Sequence, residues 1–578
     1  MIYSYNYTHL CYDLCMQIFR FIISVLLCFF LSSCSLFYHE KDPIDISQLT
    51  VDQKVGQLCL VSMYGSGHQN ILDVIDARHI GGVIFYKENR HPENSLLIKE
   101  KLATISSLKV PNIPIFTSVD HEGIGLAEYG TAFPRMMALG YLNDLELTES
   151  VGYIIGKELH YSGIDVVYAP VLDVNLSASN TVIASRSFSS SPEQVAKHGK
   201  AFINGIMAGG TIPVAKHFPG HGLTTQDSHI GLPQSDHSVK ELNKLALYPF
   251  KYTKKVPMIM SAHIYFSELD KENPATLSKT ILTDLLRKKV KFEGVVITDH
   301  MEMKAVRKNL SIEEASLKAI LAGSDIVMLG ENTTQINRVI DYLIESVNNG
   351  TLPMERLDQA VKRIIKMKRK YGLFDSPLLA SAENVLKHPD HQAVATKVIK
   401  ESVHVVELDT EKTSPKNIKS ALVVSGSPSF NRQVKSVLNE RSIRPVSVIL
   451  EKPLTHSEKW SYISKIMTEK IVLTPELEDL IKHDKRIAES IKMTIKNKAE
   501  AVDLIIVGVQ TSAEAEDLNK LAAEINVPII GLFFGTRYDA PILYEKCANF
   551  YSSIIAFNNY HTKSLALEEM IKKLNSYL

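Results

Sequence analysis

The densest group of reactive side chains in the chain is Val214-Ala-Lys-His-Phe-Pro-Gly-His-Gly222, followed at short range by Asp227-Ser-His229. An apolar run from Thr211 to Ala215 stops abruptly at Lys216 and His217, and Pro219, Gly220 and Gly222 then break any regular element. This is the pattern of a strand that ends and hands polar groups to a loop. In parallel α/β folds ligands bind at the carboxyl ends of strands. Further polar residues follow other apolar runs: Asp120-His-Glu-Gly123, Asp173-Val-Asn175 with Ser185-Arg-Ser187, His263, and Asp299-His300.

Each of these has a plainer role open to it. Asp299 could cap a helix, His263 could be a hydrogen-bonded core histidine, Asp173 and Asn175 could form an Asx turn, and Arg186 could lie on the surface. Their joint placement after successive strands favours a shared pocket instead. The sequence has no Cys/His metal cluster, no Gly-rich phosphate loop and no Gly-x-Ser-x-Gly elbow, so neither a metal nor a cofactor is expected. Carboxylates, one lysine, one arginine and several histidines suit a neutral, hydroxyl-rich ligand, because Asp and Lys can share adjacent sugar hydroxyls as acceptor and donor. A carboxylate such as Asp299 could attack an anomeric carbon, the chemistry of a retaining glycosidase.

The elements that would position these groups can be read along the chain. Eight near-continuously apolar runs, Cys59 to Met63, Gly81 to Tyr86, Ile113 to Val119, Asp165 to Val171, Thr211 to Ala215, Pro257 to Ser261, Gly294 to Thr298 and Asp325 to Leu329, alternate with amphipathic stretches. Such runs are expected of parallel strands covered on both faces, and eight strand–helix units predict a (β/α)8 TIM barrel over residues 47–376, with a doubly wound sheet as the alternative. A linker is expected over 377–395. Six more apolar runs then predict a C-terminal α/β/α sandwich over 396–578, with a mostly parallel sheet: Ala421 to Ser425, Val446 to Leu450, Lys470 to Leu473, Leu504 to Val509, Val527 to Phe534 and Ser553 to Phe557. A length of 578 residues is too great for one core and agrees with two large domains.

Lys+Arg and Asp+Glu both number 64, so there is no basic excess of the kind nucleic-acid binding requires. Residues 1–34 read as a secretory signal: Phe19 to Leu31 is apolar apart from Arg20 and Ser24, and Leu31-Ser-Ser-Cys34 follows. Met16 offers a more compact start. Leu-Ser-Ser-Cys resembles the bacterial lipobox, which implies a lipid anchor to the membrane at Cys34 and a place in the cell envelope. Ser35 carries no inner-membrane retention signal. Cys59 and Cys547 are expected to be unpaired buried thiols.

The block Lys216-His-Phe-Pro-Gly-His-Gly222 with Asp227-Ser-His229 is similar to the signature of family 3 glycoside hydrolases, and within that family it resembles β-N-acetylglucosaminidases of the NagZ type. Asp173-Val-Asn175, Ile183-Ala-Ser-Arg-Ser-Phe188, Val296-Ile-Thr-Asp-His-Met301, Ala322-Gly-Ser-Asp325, Arg356-Leu-Asp-Gln-Ala-Val-Lys-Arg363 and Gly372-Leu-Phe-Asp375 match further blocks. The resemblance implies that Asp299 is the nucleophile, that His229 moves the proton while Asp227 orients and polarises it, and that Asp120, Arg186, Lys216 and His217 bind the sugar. It implies a monomeric enzyme acting on peptidoglycan-derived saccharides. Gly220 and Gly222 are expected to let the loop carrying the dyad close over substrate.

Two departures stand out. The family's Asp-x-Glu-Gly-Gly-Arg reads here Asp120-His-Glu-Gly-Ile-Gly125, without the second Gly and the Arg, and His300 follows the nucleophile position. Three other functions compete with the leading one. They are a β-glucosidase or β-xylosidase of the same family, a phosphorylase variant, and a non-catalytic wall-binding lipoprotein on the same scaffold.

Overall fold

The structure, a computed structural model, describes residues 44–65, 69–123, 126, 129–176, 180, 182–224, 233–307, 310–375 and 384–407. Beyond these it describes 419–425, 428–440, 442–449, 504–509, 529–534, 550–556 and four single positions near the C-terminus, 566, 569, 570 and 573. The segment read as a signal and anchor, with Met16 and Cys34, lies outside the described residues, as do Asp227, His229, Cys547 and the expected strand Lys470 to Leu473.

Eight parallel strands close into a barrel: β1 Cys59–Met63, β2 Gly82–Phe85, β3 Phe116–Val119, β4 Val166–Val167, β5 Ile212–Phe218, β6 Met258–Ser261, β7 Val295–His300 and β8 Ile326–Leu329. Each strand pairs with its neighbour in sequence, and β8 returns to β1 through Cys59 opposite Val327. Closure decides against the doubly wound alternative. Every position of β1, β2, β3, β6 and β8 is buried, as continuous apolar runs require of strands covered on both faces. Strand β4 is shorter than its apolar run. Pro170 has no N–H to offer a ladder, and only an isolated bridge from Val171 to Lys216 prolongs the pairing.

The helices begin where side chains can satisfy their free N–H groups. Thr50 caps the helix Val51–Gln57, in a reciprocal capping box with Gln53, and Ser311 with Glu314 does the same for Ile312–Ala322. Between β5 and β6 lie two short helices, Val239–Lys244 and Leu247–Tyr252, where one amphipathic stretch runs in the sequence. Pro249 lacks the N–H that a continuous helix would bond to Leu245, and its ring would crowd that carbonyl.

The expected linker is only partly unstructured among the described residues. The helix Pro389–Ser402 starts inside it, with the His388 side chain accepting from the Asp390 N–H and Pro389 in the first turn. The segment is bound to the barrel through the buried Glu158 carboxylate, which accepts from Lys387 N (3.1 Å) and pairs with His391 Nδ1 (2.9 Å).

Six further strands form one sheet: β9 His404–Glu407, β10 Ser420–Ser425, β11 Arg444–Ile449, β12 Leu504–Val509, β13 Ile529–Phe534 and β14 Phe550–Ala556, in the order β9-β14-β13-β12-β10-β11. All pairs are parallel except the edge strand β9, which runs antiparallel to β14. Strand β9 was not foreseen, since it is an edge strand held by its antiparallel pairing with β14. The helix Pro428–Glu440 packs against β10 and β11.

Lys368 lies fully buried at the end of the barrel opposite the polar residues. Its Nζ donates to Gln57 Oε1 (2.7 Å) and Gly81 O (3.0 Å) and sits 4.7 Å from the centre of the Phe116 ring. Burial pushes this amine down to about 7 from its ordinary 10.5. The unfolded chain therefore binds the extra proton between about pH 7 and about pH 10, and stability should rise with pH across that window. Thermal denaturation of Lys368→Met should show a smaller rise over the same window than the unaltered chain, and an equal rise would remove Lys368 as its source.

Candidate active site

The polar residues singled out along the sequence lie where the barrel strands end at one mouth. Asp120 directly follows β3, and Glu122 stands two residues on. Lys216 and His217 are inside β5, Asp299 and His300 end β7, and His263 follows β6. Two irregularities of the barrel deliver the central residues. Between Ala215 and Phe218 the register of β5 against β6 slips by one residue, and β7 slips likewise against β8. A bulge of this kind re-aims side chains at the cost of a ladder bond. In β7 the loss is offset by Thr298, whose hydroxyl accepts from the Met328 N–H at 3.0 Å.

Lys216 is the hub. Its side chain is only 3% exposed, and Nζ reaches Asp120 Oδ1 at 2.7 Å and Glu122 Oε1 at 2.8 Å. Glu122 is gripped from its other side by Arg186, whose Nε and Nη2 donate to the two carboxylate oxygens at 2.7 and 2.8 Å. Burial would raise the Glu122 carboxyl, but the Arg186 and Lys216 cations outweigh it and hold it well below the usual carboxylate range. Burial would likewise lower the Lys216 amine, but Asp120 and Glu122 hold it raised. Asp120 is about half exposed and presents carboxylate to the mouth.

A second buried carboxylate organises the loop after β5. Asp173 is fully buried, its Oδ2 pairs with His217 Nδ1 at 2.7 Å, and its Oδ1 accepts the His221 backbone N–H at 2.6 Å. Burial would raise its carboxyl, but His217 and His221 keep it low. The acceptor on Nδ1 fixes the orientation of the His217 ring. The glycines of this loop are required by its packing. Gly220 sits at φ +139°, and a Cβ on Gly222 would fall 1.7 Å from Val174 O.

Asp299 is partly open to the mouth. Burial would raise its carboxyl, but the His263 and His217 imidazoles, the His300 backbone N–H (2.8 Å) and Lys216 together hold it well below the usual range. His263 is buried, which lowers its pKa and favours the neutral ring. The His263 Nε2 lies 3.1 Å from His300 O, and Nδ1 lies 2.8 Å from the Thr276 hydroxyl, which itself donates to Ala262 O at 2.9 Å. His300, for which the sequence suggested no role, joins β7 to β1. Its Nδ1 accepts from Glu302 N at 3.4 Å, which directs Nε2 to donate to Ser62 Oγ at 3.3 Å.

The structure thus brings together Asp120, Arg186, Lys216, His217 and Asp299, while Asp227 and His229 lie outside the described residues. Arg186 spends both forks on Glu122 and Nη1 on Val182 O (3.1 Å), so it anchors the Lys216 cluster. Glu122 and Asp173 are the residues whose weight the sequence understated. Nothing in Asp120-His-Glu shows which carboxylate turns inward, although their spacing by two on an extended segment was a usable signal. Arg135 also places Nη1 3.8 Å from Glu122 Oε2.

Residues 50–367 match the Glycosyl hydrolase family 3 N terminal domain. The chain belongs to glycoside hydrolase family 3. It is 33% identical over 366 residues to Beta-hexosaminidase A of Pseudoalteromonas piscicida, a match spanning 58% of this chain and 61% of that protein. It is also 33% identical over 273 residues to Beta-hexosaminidase of Tolumonas auensis, covering 46% of this chain and 79% of the relative. The solved structure of a glycoside hydrolase family 3 beta-N-acetylglucosaminidase from Paenibacillus sp. str. FPU-7 superimposes with a TM-score of 0.75 at 26% identity, over 92% of this chain and 97% of that one. The family 3 member therefore shares both the barrel and, in outline, the C-terminal sheet with this neighbour.

Replacing Glu122 by Gln removes the charge that the buried Lys216 and the partly buried Arg186 share. Glu122→Gln should lower the unfolding free energy by about 3 kcal/mol or more in denaturant titration. Displacement of Lys216 should also cut kcat/KM on an aryl glycoside by about 100-fold or more. Unaltered kinetics would show that the cluster does not position the substrate.

Proposed function

We propose that this family 3 glycoside hydrolase is a retaining exo-β-N-acetylglucosaminidase that removes terminal non-reducing GlcNAc from peptidoglycan fragments. The observation that carries the reading is an ionised Asp299 carboxylate at the end of β7, beside an Asp120–Lys216 pair anchored by Glu122 and Arg186. Asp120 accepts and Lys216 donates to adjacent hydroxyls of the terminal sugar. His217 donates Nδ1–H to Asp173, which leaves Nε2 to accept from a sugar hydroxyl, and Arg186 acts through Glu122.

In the proposed reaction Asp299 attacks the anomeric carbon, the bond to the leaving oxygen breaks, and His229 gives that oxygen its proton. Asp227 holds the imidazole and stabilises its cation. Water, deprotonated by the same histidine, then cleaves the glycosyl–aspartate ester and restores the carboxylate. The names of the hexosaminidase relatives support the N-acetylhexosamine specificity. The block Asp227-Ser-His229 on the barrel loop supports it over a glucosidase reading. The chain is further proposed to act as a monomer in the cell envelope, lipid-anchored at Cys34, with residues 47–376 as the catalytic barrel.

Asp299→Ala should lower kcat on an aryl β-N-acetylglucosaminide by at least about a thousandfold. A 2-fluoro sugar should add its glycosyl mass to the unaltered chain and not to the variant. Undiminished hydrolysis in Asp299→Ala would remove the nucleophile assignment. Turnover of aryl glucosides in preference to the N-acetylglucosaminide would overturn the specificity. His229→Ala should lose activity most on substrates with poor leaving groups, read from a panel that includes muropeptides.

A further inference from the structure

At the end of the barrel away from the active site, the chain gathers positive charge around a single buried carboxylate. Asp325 stands just before β8 and is fully buried. Arg287 Nη2 (2.6 Å), Arg363 Nη1 (3.0 Å) and Arg356 Nη2 (3.2 Å) all reach it. Arg287 also donates to Phe292 O and Gly294 O, just before β7, and Arg356 to Ile320 O and Ser324 O. These bonds hold the guanidinium groups in place and account for the motif blocks around Asp325, Arg356 and Arg363. They do not account for all the charge.

The three guanidinium groups front a cavity of about 360 Å³, whose rim adds Lys279 and Lys288. No carboxylate lines it among the described residues. The acidic groups that touch its lining side chains are Asp325 behind it, Asp284 on Lys288 (2.7 Å) and Glu355 on Gln359 (3.2 Å). Five cations against these three anions leave an excess of two positive charges at one concave spot. Arg356 Nη1 is buried with no hydrogen-bond partner among the described residues. A buried guanidinium donor left unpaired costs free energy, and the three arginines repel one another. Burial together with Arg363 and Arg356 pushes Arg287 down to about 10. A doubly charged anion with several acceptor oxygens would balance the excess charge at the cavity.

We propose that this cavity binds a phosphoryl group, held by Arg363 with Lys279 and Lys288 at the rim. The cavity has room for more than the bare ion, so a small phosphate monoester or a lipid headgroup fits the same chemistry. The site lies at the amino ends of β7 and β8, whereas Asp299 ends β7 at the other mouth, so binding here is separate from sugar hydrolysis. The guanidinium groups are fixed by the fold, which makes the site preformed.

The test is calorimetric titration of the full chain with inorganic phosphate at constant ionic strength, beside titration with phosphatidylglycerol vesicles. Phosphate should bind at one site, about tenfold more weakly in Arg363→Gln and in the exposed double variant Lys279→Ala/Lys288→Ala, and with unchanged affinity in Asp299→Ala. If vesicles bind and free phosphate displaces them, the source is a headgroup; if only free phosphate binds, it is a soluble phosphate. No phosphate heat, or affinity undiminished in both cavity variants, which would mean an adventitious ion only, overturns the proposal. So does loss of binding in Asp299→Ala, which would place the phosphate in the active site.

Discussion

A lysine ammonium buried at the end of β5 is the constraint from which much of the site follows. An unpaired buried charge costs several kcal/mol, so Lys216 requires carboxylates within contact distance. It has two, Asp120 and Glu122, both from the segment after β3. Two acids on one cation would leave negative charge uncompensated, and Arg186, from the loop after β4, supplies the balance through a bidentate grip on Glu122. Three consecutive barrel segments are thereby tied together by charge. Asp120 is left half exposed at the mouth as the member of the cluster with a surface to offer a ligand.

The same logic recurs one layer away with opposite sign. Asp173 is a buried carboxylate that needs donors, and it takes them from the His217 ring and from backbone N–H groups of the β5 loop. The loop's course is set by this anion and by the lack of a Cβ at Gly222. The ends of β5 and β7 are bulged, which places Lys216, His217 and Asp299 at slipped register positions. The barrel gives up regular pairing at the two places where its chemistry sits, and Thr298 and the buried His263 restore the lost bonding there.

Much of this was legible along the chain. Continuous apolar runs of strand length, punctuated by polar residues at their carboxyl ends, identified eight barrel strands, because burial on both faces leaves a composition signal that needs no partner to be seen. Capping by Thr50 and Ser311 and the break at Pro249 also have local causes. The edge strand β9 and the helix that begins within the supposed linker were not legible. The strand exists through its antiparallel pairing with β14, and the helix through its bonds to Glu158, which is over 200 residues away in sequence.

The sequence by itself determined the α/β class, the order of the strands and the list of side chains available for chemistry, since these depend on periodicity and residue type. Only the tertiary structure decided which groups serve which. Arg186, read as a sugar ligand, spends its fork on Glu122, and His217 is oriented by Asp173. His300 acquires a role by reaching across to Ser62 on the strand that closes the barrel. The reason is physical. Charge balance and hydrogen-bond satisfaction in a buried site are settled between segments tens to hundreds of residues apart, and no local pattern records which donor meets which acceptor. The group Val214 to Gly222 was thus readable as chemistry from its residues, but its hub is Lys216 because Asp120 and Glu122 converge on it in space.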